Sequence, residues 1–383
     1  MAPIRTAIIG LSESAVTSWA SAAHLPYLLS PRGRERFKIV ALCNSSVASA
    51  HKAIAHFQLP DSEQIRAYGD PTDLARDPDV DLVVCNTRVD VHHGTVRPSV
   101  EAGKAVFCEW PLAQDVHHAR DLVELAREKD VKTVMGLQGR LSPMVEKLRS
   151  LLREGRIGKV LSVEVRAFGG LNARDTVPTD LSYFLDRKNG GNIFTIGFGH
   201  LFDTVQSVVG NIDGLKGHLQ IQRPELKVFD KATKSIVGTE RSNVPDLIIA
   251  TGSLAGSPLS QDKASIMLRF RLGQPWPEEP PLVWTINGEK GELRLTSWAS
   301  TSLSIAFPHL PVVIDVHDYE SDTVERVEWK WEAWQEDLPV PARNIGLVYE
   351  AYATGDDQAW PHFQDALATH KQLEDLLAEF PPY

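Results

Sequence analysis

The sequence predicts an α/β fold in two parts: an N-terminal doubly wound parallel sheet, then a C-terminal α/β domain with a large, mostly antiparallel open sheet. Three observations carry this. The chain has 383 residues, the length of two domains at about 150 residues each. Up to about residue 136, short β-branched runs alternate with helical patterns, and the runs are apolar throughout, as strands buried on both faces are. Further on the rhythm changes to longer strand-like runs joined by turn residues. Domains are therefore expected at residues 1–140 and 141–383, with the terminal helices free to pack back on the first.

In order along the chain, the first strands are read at Ile4–Ile9, Lys38–Cys43, Asp81–Cys85, Ala105–Cys108 and Lys132–Met135. Behind Asp115, a residue type suited to a helix N-cap, Leu122, Leu125 and Ala126 recur at helical spacing. Ser142-Pro143 starts another helix, Val145, Leu148 and Leu151 or Leu152 form its stripe, and Gly155 closes it. Val160–Phe168, Leu247–Ser253, Ala264–Phe270, Leu282–Ile286 and Glu292–Thr296 then read as strands, with Asn287-Gly288 as a turn. Leu254–Asp262 and Gln274–Pro281 read as loops, and Tyr349–Phe380 as helix broken at Pro361.

Composition narrows the function. Lys plus Arg number 40 against 50 Asp plus Glu, a net charge of −10, so neither nucleic acid nor a membrane surface is an expected partner. Cys43, Cys85 and Cys108 have no CxxC spacing, which fits a reducing compartment and predicts no metal site. They read as buried strand residues or reactive thiols. Ile4–Leu11 is too short for a signal peptide and no run approaches the ~20 apolar residues of a membrane span, so a cytoplasmic location is expected.

A strand ending in Gly10, then Ser12 and Ala15 before a helix, is a degraded form of the glycine-rich turn that brings a backbone close to a pyrophosphate. Glu13 in that turn has to point away from a phosphate. The second strand ends in Cys43-Asn44-Ser45-Ser46, with no carboxylate to repel a 2′-phosphate, so NADP is favoured, with NAD as the alternative. His51 and Lys52 read as a solvated helix face.

Val106-Phe107-Cys108-Glu109-Trp110-Pro111-Leu112-Ala113, Gly155-Arg156-Ile157-Gly158, Gly190-Gly191 leading to His200 and Asp203, and Ile286-Asn287-Gly288 with Gly291 resemble the Gfo/Idh/MocA oxidoreductases. Within that family the likeness is to the fungal galactose-regulon repressor and its relatives, through Ser18-Trp19-Ala20 with His24 and Pro26, Glu109-Trp110, Leu137-Gln138-Gly139-Arg140 with Ser142-Pro143, and Phe198-Gly199-His200. The resemblance implies an N-terminal Rossmann domain, NAD(P) as cofactor, and a C-terminal sheet that commonly forms a homodimer contact. It implies Gly10, Leu11 and Ser12 at the pyrophosphate, Thr87, Arg88, Val89 and His92 on the nicotinamide side, Glu109 near the ribose with Trp110 beside it, and Gln138 after the last Rossmann strand. His92 also reads as a helix-start residue bonded to backbone.

Family members that oxidise sugars or polyols carry Lys where this chain has Trp110, and a carboxylate where it has Ile196. Indole cannot serve as a base near neutrality. His200 remains as proton donor or as a core histidine, with Asp203 either orienting it or satisfying a buried donor, and Tyr183 and Lys188 as further acids. Reduction needs hydride and a proton but no base, and Trp110 is expected to give an apolar wall. The first reading is thus an NADPH-dependent reductase of a hydrophobic or conjugated small-molecule substrate. The competing reading is a catalytically silent dinucleotide sensor that binds a transcription activator, with Trp329, Trp331 and Trp334 as a docking groove or as rings packed on a strand. A non-redox isomerase or lyase is the third.

Overall fold

The computed structural model describes residues 2–15, 17–169, 173–303 and 310–380. They form two units, Met1–Gln138 with Glu332–His370, and Gly139–Trp331 with Lys371–Tyr383.

The first unit is built on six strands: β1 (Ile4–Ile9), β2 (Phe37–Cys43), β3 (Arg66–Tyr68), β4 (Leu82–Cys85), β5 (Ala105–Glu109) and β6 (Thr133–Gly136). Every pairing is parallel and the order is β3-β2-β1-β4-β5-β6. Ala7, Ile8, Leu42, Val83, Val84 and Phe107 are buried along the strands, as the unbroken apolar runs predict. The order reverses between β1 and β4, and at such a switch point a crevice opens beyond the carboxyl ends of the strands. The helices are α1 (Leu25–Leu29), α2 (Pro31–Arg36), α3 (Val47–His56), α4 (Pro71–Ala75), α5 (Val89–Glu101) and α6 (Val116–Glu128). Asp115 caps α6, its carboxylate accepting from the His118 N–H at 2.9 Å.

One expectation needs correcting here. No helix follows Gly10 directly: the first helical turn after β1 is a π-type turn over Ala20–His24 that runs into α1. The described residues before it form a loop in which Ser18 takes φ +50°, so this turn presents loop backbone where a longer helix N-terminus was expected.

The second unit opens with α7 (Pro143–Arg153), where Ser142 holds the N-cap position without a side-chain cap bond and Gly155 at φ +69° follows the end. Its strands are β7 (Val160–Gly169), β8 (Thr176–Pro178), β9 (Ile212–Gln220), β10 (Glu225–Asp230), β11 (Ser235–Arg241), β12 (Leu247–Leu254), β13 (Ser260–Leu272), β14 (Leu282–Gly288), β15 (Gly291–Ser297), β16 (Val312–Asp318) and β17 (Thr323–Val327), and α8 (Gly199–Val209) precedes β9. Eight strands form one sheet in the order β17-β16-β15-β14-β7-β13-β12-β9. Only β7 and β13 pair in parallel within it. Burial alternates along β14 and β15, with Leu282, Trp284, Ile286, Leu293 and Leu295 on the covered face. β8, β10 and β11 make a small separate sheet over Val177, Leu185, Leu226 and Val228.

Two loop readings shift. β13 begins at Ser260, inside the segment read as loop, because residues 260–272 pair along β7 and β12. Asn287 and Gly288 stay in β14, Asn287 paired with Glu292, so the hairpin turns at Glu289-Lys290.

The chain then returns to the first unit as α9 (Ala333–Glu336) and α10 (Val340–Thr354), with α11 (Phe363–Leu377) last. α10 starts nine residues before the helical run read from Tyr349. It buries Ala342, Ile345, Val348 and Tyr349, and the Tyr349 ring stacks on Tyr27 at 5.3 Å. The break at Pro361 lies against β6: the Met135 N–H donates to the Pro361 carbonyl at 2.8 Å and the Trp360 indole N–H to the Thr133 carbonyl at 3.0 Å. Among the described residues no helix is long and apolar enough to cross a membrane.

Candidate functional site

In the first unit, the residues that follow β1, β2, β4 and β6 make up the carboxyl edge of the sheet. Gly10, after β1, takes φ +91°, and a Cβ there would stand 2.9 Å from the Asn86 carbonyl oxygen and 3.2 Å from Thr87 Cγ2. Only glycine fits this approach of two strand ends. Leu11 is fully buried and Ser12 partly so. Asn44, after β2, donates its amide to the Leu11 carbonyl at 2.8 Å and to the Ser49 carbonyl at 3.4 Å, tying the loop to α3. Ser45 is exposed, and Ser46 caps α3 by accepting from the Ser49 N–H. Glu13 does turn outward, to His56 at 3.2 Å, and His51 and Lys52 are exposed.

Along this edge several buried polar atoms have no hydrogen-bond partner: Asn44 Oδ1, both amide atoms of Asn86, and Gln138 Oε1. An unpaired buried polar group costs about 1–3 kcal/mol. A row of them at the switch point is the donor and acceptor set that a polar ligand lying across the strand ends satisfies. The site thus fits a dinucleotide by its chemistry. Sequence reading passed over Asn86, although the signal was present: both β2 and β4 end in a Cys-Asn dipeptide, Cys43-Asn44 and Cys85-Asn86.

The other expected residues divide. Thr87 is partly buried, with its hydroxyl 3.4 Å from Cys85 Sγ. Arg88 is exposed and paired with Asp90 at 2.7 Å, while Val89 is buried at the start of α5. His92 is 1% exposed and directs both ring nitrogens at backbone carbonyls, Nδ1 to Pro111 and Nε2 to Thr87, each at 2.9 Å. This is the backbone-bonded geometry, in which His92 holds the 87 loop and the 111 loop. His93 faces away, to Asp121 at 2.7 Å.

Glu109, at the end of β5, is 8% exposed and accepts from His24 Nε2 at 2.8 Å, and His24 Nδ1 lies 2.8 Å from the Tyr349 hydroxyl. A Cβ on Gly136 would reach 2.4 Å from Glu109 Oε2, so the glycine makes room for the carboxylate. Trp110 is 4% exposed, its ring 4.7 Å from that of His370. The apolar wall expected of it is therefore covered on this side by α11. His24, Tyr349 and His370 were not identified as site residues, because the last two lie more than two hundred residues away in sequence.

In the second unit, Asn192 and Thr195 form a capping box that starts the π-type turn Ile193–Phe198, and this turn leads into α8 with His200 in its first turn. His200 is partly buried. Asp203 is buried and receives a two-pronged bond from Arg140, Nε at 2.9 Å and Nη2 at 2.7 Å. Asp203 thus satisfies a partly buried guanidinium. Tyr183 lies partly buried in the 3₁₀ segment Thr179–Leu185, and Lys188 is exposed in the next. Trp329 and Trp331 meet edge to face at 5.7 Å, half-buried, and the Trp329 indole donates to the Val312 carbonyl at 2.8 Å. In the first unit Trp334 lies under the Arg32 guanidinium at 5.0 Å.

Residues 4–137 match the family described as the oxidoreductase family with an NAD-binding Rossmann fold, Gfo/Idh/MocA, and residues 143–297 match the C-terminal domain of Gal80p. By these matches the chain is similar to the Gfo/Idh/MocA oxidoreductases over its first part and to Gal80p over its second. It is 28% identical to dehydrogenase AclE of Aspergillus oryzae over 98% of this chain and 95% of that protein. It is 26% identical to the galactose/lactose metabolism regulatory protein GAL80 of Kluyveromyces lactis over 76% of this chain and 64% of that protein. Its fold matches a super-repressor mutant of Gal80p from Saccharomyces cerevisiae with TM-score 0.84 at 23% identity, covering 98% and 95% of the two chains. It also matches levoglucosan dehydrogenase in complex with NADH and L-sorbose, TM-score 0.74 at 16% identity over 98% and 97%.

Proposed function

We propose that the protein is an NAD(P)H-dependent reductase of a hydrophobic or conjugated small metabolite, an imine, enone or ketone. The row of unpartnered buried amides at the carboxyl edge of the first sheet carries the reading. The backbone of Gly10, Leu11 and Ser12 would hold the pyrophosphate, Asn44 and Ser45 the adenosine ribose, and Asn86, Thr87, Arg88, Val89, Glu109 and Gln138 the nicotinamide side. His92 positions the Thr87 carbonyl. The end of β2 has no carboxylate, which favours NADP over NAD. When bound, the coenzyme supplies hydride.

Trp110 stands where sugar-oxidising relatives have an ammonium, and it cannot take a proton from a hydroxyl. Reduction needs only that a proton follow the hydride, and His200 is its proposed donor, with Tyr183 and Lys188 as substitutes. Asp203, locked to Arg140, fixes the helix that carries His200. The full-length resemblance to a dehydrogenase supports this reading. A homodimer through the eight-stranded sheet and a cytoplasmic location complete the proposal.

The test titrates NADPH and NADH and then follows nicotinamide absorbance with a panel of imines, enones and ketones. NADPH should bind about tenfold more tightly than NADH, and Asn86→Leu should lose at least about tenfold in affinity. His200→Ala should lower turnover by about 10²–10⁴ with coenzyme affinity intact. Failure of both nucleotides to bind overturns the proposal. The second reading, a dinucleotide-sensing regulator of a transcription activator, is favoured by the Gal80p match over residues 143–297. It predicts nucleotide binding with no turnover and nucleotide-sensitive capture of an activator.

A further inference from the structure

Between β5 and α10 the first unit buries a row of polar groups that packing alone does not require. His24, the last residue of the π-type turn before α1, and Tyr349 in α10 are both fully buried. Their surroundings are aromatic: the His24 ring meets Phe107 edge-on at 5.1 Å, and the Tyr349 ring lies 5.3 Å from Tyr27, 5.0 Å from Phe37 and 5.2 Å from Phe107. Apolar side chains of the same shape fill such a box without the cost of desolvating an imidazole and a phenol. What the polar pair adds is a chain of two bonds, from the Tyr349 hydroxyl to His24 Nδ1 and from His24 Nε2 to Glu109 Oε1, each 2.8 Å long.

The chain has one direction. A carboxylate only accepts, so the bond to Glu109 needs a proton on Nε2; Nδ1 of the neutral ring is then a lone pair, and the phenol donates to it. In the other neutral tautomer a lone pair faces the carboxylate. In the doubly protonated ring the phenol O–H is left without an acceptor among the described residues. Burial, then the Glu109 charge, push the Tyr349 phenol up, so it keeps the proton that it donates. Glu109 is thereby held by Oε1 alone. Its Oε2 has no hydrogen-bond partner among the described residues, and the side chain keeps 11% exposure. Glu109 pairs in register with Gly136, and Cys108 with Cys85, so the carboxylate leaves the sheet at the level of Asn86 and Gln138, whose amide atoms are unpaired.

We infer that His24 and Tyr349 are positioning residues, which tie back Oε1 of Glu109 and leave Oε2 as a fixed acceptor for a vicinal diol, the ribose hydroxyls on the nicotinamide side of the coenzyme. The inference rests on the coenzyme reading proposed above and names what makes Glu109 competent in it. A glutamate that swings freely loses rotamer entropy when a ligand fixes it, and the tether removes that loss before binding. Gly136 keeps the place of Oε2 open, since a Cβ there would stand 2.4 Å from it. Both positioning residues act through Glu109, and 325 positions separate them in the chain.

The test titrates the full chain with NADPH and NADH, and with 2′-phospho-ADP and ADP, which keep the adenosine and both phosphates but lack the nicotinamide ribose. His24→Phe and Glu109→Gln should each weaken the tighter dinucleotide at least about tenfold and Tyr349→Phe about threefold, with its truncated form changed less than about twofold. The double variant of His24→Phe with Glu109→Gln should bind no more weakly than Glu109→Gln alone, because the imidazole works through the carboxylate. In the unliganded wild type, ¹⁵N NMR should find the His24 proton on Nε2, and Tyr349→Phe should move the Nδ1 resonance. Dinucleotide affinity unchanged in His24→Phe, additive losses in the double variant, or a proton on Nδ1 would overturn the inference. Equal loss of the truncated form would also overturn it, by assigning His24 to the fold alone. Failure of the wild type to bind any of the four nucleotides is a different result, and it removes the coenzyme reading itself.

Discussion

His370 shows what burial does to one ionisable side chain. It is 5% exposed, its Nε2 has no hydrogen-bond partner, and desolvation pushes its pKa down to about 4. The native ring stays neutral while the unfolded ring takes a proton near the ordinary value of about 6.5. Between those two values the unfolded chain therefore binds the extra proton, so stability is whole above about pH 6.5 and falls as the pH drops toward 4. Wild type should lose about 2–3 kcal/mol more than His370→Gln between pH 7 and pH 4.5, read from urea unfolding at both. Parallel losses in the two proteins would show that His370 does not titrate this way. Because the ring lies against Trp110, a protonated His370 also disturbs that indole.

At the scale of one element, the segment leading to His200 depends on a local device. Asn192 is 1% exposed, its side-chain oxygen accepts from the Phe194 and Thr195 N–H groups at 3.0 Å each, and the Thr195 hydroxyl accepts from the Asn192 N–H at 3.1 Å. Replacing it with Ala leaves these donors unpaired at the start of the turn. Asn192→Ala should cost about 1–2 kcal/mol in chemical denaturation and lower the proposed turnover, with Asn192→Asp retaining most of both. An unchanged midpoint for the alanine variant would mean that the cap holds nothing. Two glycines make room here: a Cβ on Gly169, at the end of β7, would meet the Phe270 ring at 2.5 Å, and one on Gly197, within the turn itself, would meet Ile193 at 2.7 Å.

At the scale of the whole molecule, the first unit is discontinuous. Its core needs α10, which buries Ile345, Val348 and Tyr349 and supplies the hydroxyl beside His24. A chain ended after residue 331 should lose the cooperative unfolding of the first unit and bind a hydrophobic dye, because that apolar surface is uncovered. Full cooperativity in the shortened chain would assign α10 a peripheral role.

Much of this was legible along the chain. Unbroken apolar runs gave five of the six parallel strands within a residue or so at each end, since burial on both faces leaves no freedom of residue type. β3 was not legible: three half-buried residues carry no pattern. β11, exposed throughout, had no core to constrain it. Motif order alone carried the family resemblance and the two-part architecture. Only the tertiary structure decided which polar groups lack partners, that Asp203 answers Arg140, and that Trp110 lies on His370. Hydrophobic periodicity is local and survives in sequence, whereas pairing between side chains from distant segments exists only once strand order and helix return have brought them together.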